Sequence, residues 1–416
     1  MNILYIVPNP PSLVRVRPYN LIRRLCARGH HITVATVWSN TEEHNDLAHL
    51  QSHGITVLAV PLFRSQVVRN LLRALTTGAP FQALYCEVDT LKRTIRDWIR
   101  ESDNGRSGRK VDVVHVEHLR GVRYGLHLRP QCQNLALVWD SVDCISHLFE
   151  QAATHSRSAL GRLIARLELP RTRRYEGWLI EQFDQVLVTS EVDRFALETL
   201  RSASLSESDS KITVLPNGVD LTYFTPTDLP REPATILFSG KMSYHANVTA
   251  ALYLLDEIMP RVWAHSPQVQ VVIAGKDPAP ELRRAQCRLS NVRLTGTVPD
   301  LRPYLRSATI AVSPLVYGAG IQNKVLEALA CATPVVASRQ AVSALATIDG
   351  EHLLVAENAD TFARCILDLL ADPLRRQQLG IAGRRYVERY HDWDRIVDQL
   401  EQIYLSAFVP HRLRGC

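Results

Sequence analysis

The eight cysteines of this chain, at positions 26, 86, 132, 144, 287, 331, 365 and 416, include no C-x-x-C pair. Scattered thiols argue against a disulfide framework or a structural zinc site and fit a reducing compartment. No stretch approaches the roughly 18 uninterrupted apolar residues that cross a bilayer. The apolar run Met1–Val7 has no basic region before it, and Pro8, Pro10, Pro11 and Pro18 follow at once, so no secretory signal is expected. The expected location is cytoplasmic. Charge of one sign is scarce too: 48 Lys and Arg against 42 Asp and Glu leave a formal +6. That excess suits phosphates or anionic lipid but is too small for a nucleic-acid binder. No short-period repeat is present.

What is there is a soluble globular chain, with 46% hydrophobic and 22% charged residues over 416 positions, enough for two or three domains. Short apolar runs alternate with helix-like segments. Asn2–Val7, His31–Val37, Ile55–Val60, Val111–Val116, Leu135–Val138 and Gln185–Val188 read as buried strands. The rhythm restarts after residue 230 with Thr235–Phe238, Val269–Ala274, Val292–Leu294, Thr309–Val312 and Pro334–Ala337. Such alternation implies parallel sheets covered by helices on both faces. Between the halves, Pro216–Asp220 and the proline-bearing segment Tyr223–Pro233 read as a turn and a stiff linker.

The expected fold is α/β: two doubly wound, Rossmann-like domains facing each other across a cleft, with ligands at the carboxyl ends of the strands. The predicted division is 1–218 and 219–392. From Trp393 to Phe408 runs one more amphipathic helix, with Ile396, Leu400, Ile403, Tyr404 and Phe408 on one side. By pattern alone it either ends the second domain or crosses back onto the first. We take the crossing.

The segment Ser313–Val336 reads strand, glycine loop, helix, strand. Gly318 and Gly320 sit where the helix begins, and there glycine lets backbone N–H groups approach an anion. Lys324 comes one turn into that helix and Glu327 three residues later, on the same side. A cation for phosphate and a carboxylate for sugar hydroxyls suit a nucleotide sugar. A turn loop beside a surface Lys–Glu pair is the plain alternative. Gly240 and Lys241 directly follow the second domain's first strand, where a lysine points into the ligand crevice. Gly275 ends the next strand, and Thr295–Asp300, with Val298, is placed to give backbone contacts to a base.

These segments together carry a resemblance. The order and spacing of Arg28–Val34, Pro216–Asp220, Phe238-x-Gly-Lys241, Ala274-Gly275, Leu294–Asp300 and Gly318-x-Gly-x-x-x-Lys-x-Leu-Glu-Ala328 with Thr333–Val336 are similar to the retaining glycosyltransferases of family 4, which have the GT-B fold. The resemblance covers nearly the full length. It implies that Lys241 and Lys324 meet the donor diphosphate, that Glu327 holds the ribose hydroxyls and that the backbone of Gly318, Ala319 and Gly320 wraps the transferred sugar. Many members carry a further Glu eight residues before the ribose Glu; here that position is Ala319. At the strand end Asp112–His118, the family's sugar-contacting His falls on Glu117, with His118 next, and either or both are candidates. The family's glycine loop after the first strand is replaced by Pro8–Pro18, with Arg15 and Arg17 placed to meet an acceptor's phosphate or carboxylate. Asp143, closing the next strand, either lines the cleft or caps a helix.

The implied function is transfer of a sugar from a UDP- or GDP-sugar to an acceptor hydroxyl with retention. It needs no cofactor, divalent metal or nucleic acid, and surface polysaccharide or lipid-linked glycan is the expected product class. An epimerase or hydrolase of nucleotide sugars, a glycosyltransferase of secondary metabolism and a non-catalytic nucleotide-sugar-binding partner stay open. No pair of opposed carboxylates suggests a glycoside hydrolase. Asp392-Trp-Asp394 spells D-x-D but stands at a helix start, where acidic residues cap. Arg157, Arg162, Arg166, Arg171, Arg173 and Arg174 surround an amphipathic stretch with Leu160, Leu163, Ile164 and Leu167. It reads either as a solvated helix face or as a peripheral contact with the inner face of the plasma membrane.

Overall fold

The computed structural model describes residues 1–12, 15–103, 110–130, 135–155, 159–201, 211–318 and 320–414. The chain divides into two compact units. One comprises Met1–Glu150, Leu163–Pro216 and the chain from Trp393 onward; the other comprises Gln151–Arg162 and Asn217–Asp392. The main break thus falls at 216/217, two residues before the division drawn from sequence.

The first unit holds a parallel sheet of β1 (Asn2–Ile6), β2 (His31–Trp38), β3 (Thr56–Pro61), β4 (Val113–Glu117), β5 (Ala136–Val142), β6 (Gln185–Val188) and β7 (Ile212–Val214). Their order is β3-β2-β1-β4-β5-β6-β7. Most of these strands are buried along their length, as expected when helices cover both faces of a parallel sheet. The second unit holds β8 (Thr235–Ser239), β9 (Gln270–Ala274), β10 (Val292–Leu294), β11 (Ile310–Ser313), β12 (Val335–Ser338) and β13 (Leu354–Ala356), ordered β10-β9-β8-β11-β12-β13. Both sheets are α/β, as the alternation of runs predicts. No helix among the described residues is long and apolar enough to cross a membrane, and the six described cysteines are free.

The last helix, Trp393–Arg414, belongs to the first unit. Trp393, Ile396, Val397, Leu400, Tyr404 and Ala407 are buried in one cluster with Ile3 and Tyr5 of β1, Val113 of β4 and Val138 of β5. Each large side chain so buried contributes roughly 1.5–3 kcal/mol. Arg28 also pairs with Asp398 at 2.5 Å and Glu401 at 2.8 Å. Half-exposed ion pairs of this kind contribute about 0–1 kcal/mol each, so the apolar face decides where the helix docks.

Beneath that face lies a chain of buried polar groups. Arg17, in helix Val16–Ala27, grips Asp140 of β5 through Nε at 2.8 Å and Nη2 at 3.1 Å, and Nη1 donates to the carbonyls of Leu215 at 3.0 Å and Pro216 at 3.2 Å. His115 of β4 stands 3.5 Å from Asp140 and 2.8 Å from the Tyr404 hydroxyl, with the Tyr5 ring stacked on it at 4.1 Å. Burial alone would raise the Asp140 carboxyl, but Arg17 and His115 outweigh it and hold the group down at about 2.

In the second unit, two arginines and a helix fix the helix Asn323–Ala330. Arg231 donates to the carbonyls of Cys331 at 3.2 Å and Ala332 at 2.9 Å, and Arg384 to that of Ala330 at 2.7 Å. Guanidinium groups at a helix carboxyl end satisfy its last carbonyls and complement its dipole. Helix Pro373–Tyr390 packs against the same end, so closely that a Cβ on Gly380 would lie 2.3 Å from the Ala332 carbonyl oxygen.

Removing Arg17 leaves the Asp140 charge buried without its main partner. Arg17→Met is expected to lower stability at neutral pH by about 3–5 kcal/mol, measured by urea unfolding. Asp140 is held below its unfolded value, so the pair stabilises fully above about pH 4 and loses that contribution as pH falls towards 2. The deficit of the variant is therefore expected to shrink on acidification through that range, and a deficit independent of pH would refute the assignment.

Candidate functional site

The second unit gathers its chemistry at the carboxyl ends of β8 and β9. The chain leaves both strands through glycines with positive φ, 144° at Gly240 and 150° at Gly275. The Gly240 N–H donates to the Ala274 carbonyl at 3.0 Å. A Cβ on Gly275 would sit 1.7 Å from the Gly240 carbonyl oxygen, so any side chain there would force two backbones apart. The Gly275 N–H donates to Thr295 Oγ1 at 3.3 Å, which ties in the segment that carries the half-buried Val298.

Lys241 follows Gly240 and is exposed. Its carbonyl accepts from Asn247 Nδ2 at 3.0 Å, while Asn247 Oδ1 accepts from the Lys324 ammonium at 2.5 Å. One buried carboxamide thus links the loop after β8 to the helix bearing Lys324. The same ammonium lies 4.8 Å from the centroid of the Phe238 ring, a cation–π contact. Burial pushes Lys324 down to about 8, with Glu327 opposing the shift. Burial pushes Glu327 up to about 7, with Lys324 opposing it. The Glu327 carboxylate accepts no hydrogen bond and forms no ion pair among the described residues.

In the loop before this helix, Gly318 and Gly320 have φ of 154° and 70°, and the Gly318 carbonyl accepts from Gln340 Nε2 at 2.5 Å. Ala319 lies outside the described residues. Beside the loop, the Tyr317 hydroxyl meets His245 Nδ1 at 2.7 Å with the two rings stacked, and burial keeps His245 neutral by lowering its pKa. Sequence reasoning missed Asn247, His245 and Tyr317. The first two lie a few residues past Lys241, but an amide and an imidazole in a helix's first turn spell no motif. A separate cavity of about 850 Å³ sits at the amino ends of β8, β11 and β12, lined by Ala234, Thr309 and Pro334. Its Arg231 is occupied by carbonyls, so the cavity lies away from the chemistry.

In the first unit, Glu117 at the end of β4 stands in register with Asp140 of β5. At the end of each strand a non-glycine residue takes the left-handed region: His118, just after β4, at φ 61°, and Val142, the last residue of β5, at φ 68°. For a β-branched valine this is a true outlier, and such strain concentrates at functional sites. Burial, with Asp140, pushes the Glu117 carboxyl up to about 8, and its Oε2 has no hydrogen-bond partner among the described residues. Burial, with Arg120, pushes His118 down to about 3. Burial and the like charge of Asp193 raise Asp143 to about 7.

The two arginines expected to meet an acceptor part company. Arg15 is partly exposed and pairs with Glu43 at 2.6 Å. Arg17 is not at the surface: only 5% of its side chain is exposed, and Asp140 and two carbonyls hold its guanidinium, so its place is in the core. Of the D-x-D letters, Asp394 lies in the first turn of the last helix, 3.3 Å from Arg24, and no cluster of three potential metal ligands occurs among the described residues. In helix Ala159–Gln182, Leu160, Leu163, Ile164 and Leu167 are exposed; Arg157 lies outside the described residues.

Comparison with known proteins fits this arrangement. A family model described as a glycosyl transferase 4-like domain matches residues 14–218, and one described as glycosyl transferases group 1 matches residues 233–372. The gap between them is the proline-bearing linker. A phosphatidyl-myo-inositol mannosyltransferase of Mycobacterium tuberculosis is 31% identical over 227 residues, covering 51% of this chain and 59% of the relative. A GDP-mannose-dependent monoacylated alpha-(1-6)-phosphatidylinositol monomannoside mannosyltransferase of Corynebacterium glutamicum is 30% identical over 244 residues, 53% of this chain and 63% of that one. The matches thus span less than two thirds of these relatives. Among solved structures, a sucrose-phosphate synthase from Thermosynechococcus elongatus superposes with a TM-score of 0.67 at 21% identity, covering 98% of this chain and 99% of that one. HepE of Anabaena in complex with UDP and glucose does so with 0.68 at 13% identity, covering 98% and 100%. These likenesses show the fold, which is GT-B. With both of its units matched by glycosyltransferase family models and both sheets in the GT-B arrangement, the chain belongs to the group 1 glycosyltransferases.

Proposed function

We propose that the chain transfers a glycosyl group from a nucleotide-diphosphate sugar to an acceptor hydroxyl, with retention at the anomeric carbon. The observation that carries this reading is the Lys324 ammonium, held by Asn247 beside Gly240, with the unpartnered Glu327 carboxylate on the same helix. A desolvated cation at a strand's carboxyl end suits a diphosphate, and a carboxylate one turn further suits ribose hydroxyls. Lys241, exposed on the adjoining loop, supplies a second charge.

In the proposed step the bond from the anomeric carbon to the diphosphate oxygen breaks, and a bond to the acceptor oxygen forms on the same face. The acceptor's proton passes to the departing phosphate, so no protein nucleophile is used. Positive potential from Lys241 and Lys324 stabilises the leaving group as the sugar becomes cation-like. Glu117 and His118, at a strained strand end, are the candidates for contact with the sugar. A lipid-linked acceptor matches the names of the mannosyltransferase relatives. The exposed Leu163, Ile164 and Leu167 beside Arg166 and Arg174 support peripheral contact with an anionic membrane. Co-flotation with phosphatidylglycerol vesicles, weakened by Leu163→Glu with Leu167→Glu, is expected; equal flotation of the variant would refute it.

The test begins with a panel of UDP- and GDP-sugars, scored by protection against thermal unfolding and then by product formation with and without acceptor. Lys241→Ala is expected to cut turnover at least about tenfold, equivalent to about 1.4 kcal/mol of transition-state stabilisation, and Glu327→Ala to weaken donor binding by a similar factor. Wild-type values in both variants would overturn the roles.

Donor affinity is also expected to be bell-shaped in pH. It rises as Glu327 ionises near 7 and falls as Lys324 loses its proton near 8. Glu327→Gln should remove the acidic limb alone, as read from dissociation constants across pH.

A further inference from the structure

Arg120 is a positioned cation that the donor chemistry leaves unused. It is the third residue of helix His118–Leu128, where a positive charge works against the helix dipole, so the local helix gains nothing from it. The side chain is nevertheless held. Nε donates to Gln82 Oε1 at 2.5 Å, and the guanidinium carbon lies 5.0 Å from the centroid of the Tyr85 ring. Both partners come from helix Phe81–Tyr85 and both are uncharged. The nearby cations are neutralised: Arg15 pairs with Glu43 at 2.6 Å, and Arg123 with Glu87 at 3.4 Å. Arg120 has no carboxylate within ion-pairing distance among the described residues, and neither Nη group has an acceptor there.

Two neighbours complete the setting. His118 Nδ1 accepts the Arg120 backbone N–H at 3.3 Å. The neutral ring therefore carries its proton on Nε2, which is left as a donor. Arg120 and Arg15 both act on the buried Cys86 thiol, which places the second guanidinium in the same neighbourhood. Glu117, the nearest acid in the chain, instead interacts with Asp140, Arg17 and Arg15. A planar fork lying over an aromatic ring, oriented by an amide and lacking a counter-ion among the described residues, has the geometry that binds phosphate or carboxylate through two parallel hydrogen bonds. It stands beyond the carboxyl end of β4, where parallel sheets bind ligands.

We propose that Arg120, with the His118 Nε2–H, is the receptor for an anionic group, phosphate or carboxylate, borne by the acceptor. This rests on the glycosyl-transfer reading for the word acceptor, but the anion site is testable without it. Arg120 takes the part that Arg15 and Arg17 were expected to play from sequence.

Inorganic phosphate is the probe, added to the full chain carrying Lys241→Ala and Lys324→Met so that the donor cradle is disabled. Calorimetry gives the affinity, and the Nε–H resonance of isotope-labelled Arg120, assigned by its disappearance in Arg120→Gln, gives the place. Saturable binding that moves the Arg120 resonance, weakened at least about tenfold by adding Arg120→Gln and several-fold by Arg120→Lys, is the expected result. Gln82→Ala, which releases Nε, should also weaken it several-fold, so the test survives if Arg120→Gln fails to fold. Acetate in a parallel titration distinguishes the two anions: tighter phosphate assigns a phosphorylated acceptor, tighter acetate a carboxylated one. Phosphate and acetate affinities unchanged by Arg120→Lys and Gln82→Ala, or an unmoved Arg120 resonance, would overturn the proposal. Nucleotide-sugar binding equal in wild type and the Lys241/Lys324 variant would instead sink the donor reading and leave the Arg120 result standing.

Discussion

A half-buried lysine without a carboxylate in bonding contact sets the character of the second unit. Desolvation makes the Lys324 charge costly, and a carboxamide, the face of Phe238 and the field of Glu327 offset that cost in part. The surroundings exist to hold it there. Arg231 and Arg384 fix the end of its helix, and Asn247 fixes its ammonium. The two strand-end glycines bring backbone, rather than side chains, to its flank. A site so arranged is short of negative charge, and its natural complement is a ligand that brings some.

The first unit solves a different problem. Its sheet carries an ionised carboxylate, Asp140, with no exposure at all, and a guanidinium and an imidazole from separate elements keep it charged. The same strand then bulges at Asp140 and Val142, and the neighbouring strand is followed at once by the strained His118. Firm anchoring below lets unfavourable backbone persist above, which is how strained residues survive at the edge of a sheet.

Much of this was legible in the residues. Continuous apolar runs such as Asn2–Val7 and Val269–Ala274 announce buried parallel strands because both faces must be covered. The strands Ile212–Val214 and Leu354–Ala356, each three residues long and partly exposed, were not seen. Lys324, Glu327 and the strand-end glycines stood out through their spacing. Arg17 was misread because two arginines flanking a helix start look alike in sequence. One faces Glu43 at the surface and the other turns inward to a carboxylate 123 positions away. Asn247 and Arg120 were invisible for the same reason, since their meaning lies in partners on other elements.

The docking of the final helix has a consequence for biosynthesis. β1 is made long before Trp393, Ile396 and Leu400, so the part of its sheet face that these cover beside Leu21, Ile22 and Leu25 stays open until they follow. Since translation adds about 5–20 residues per second, that greasy surface waits through the synthesis of the whole second unit. Packing of the first unit is therefore completed only after the second unit has been made.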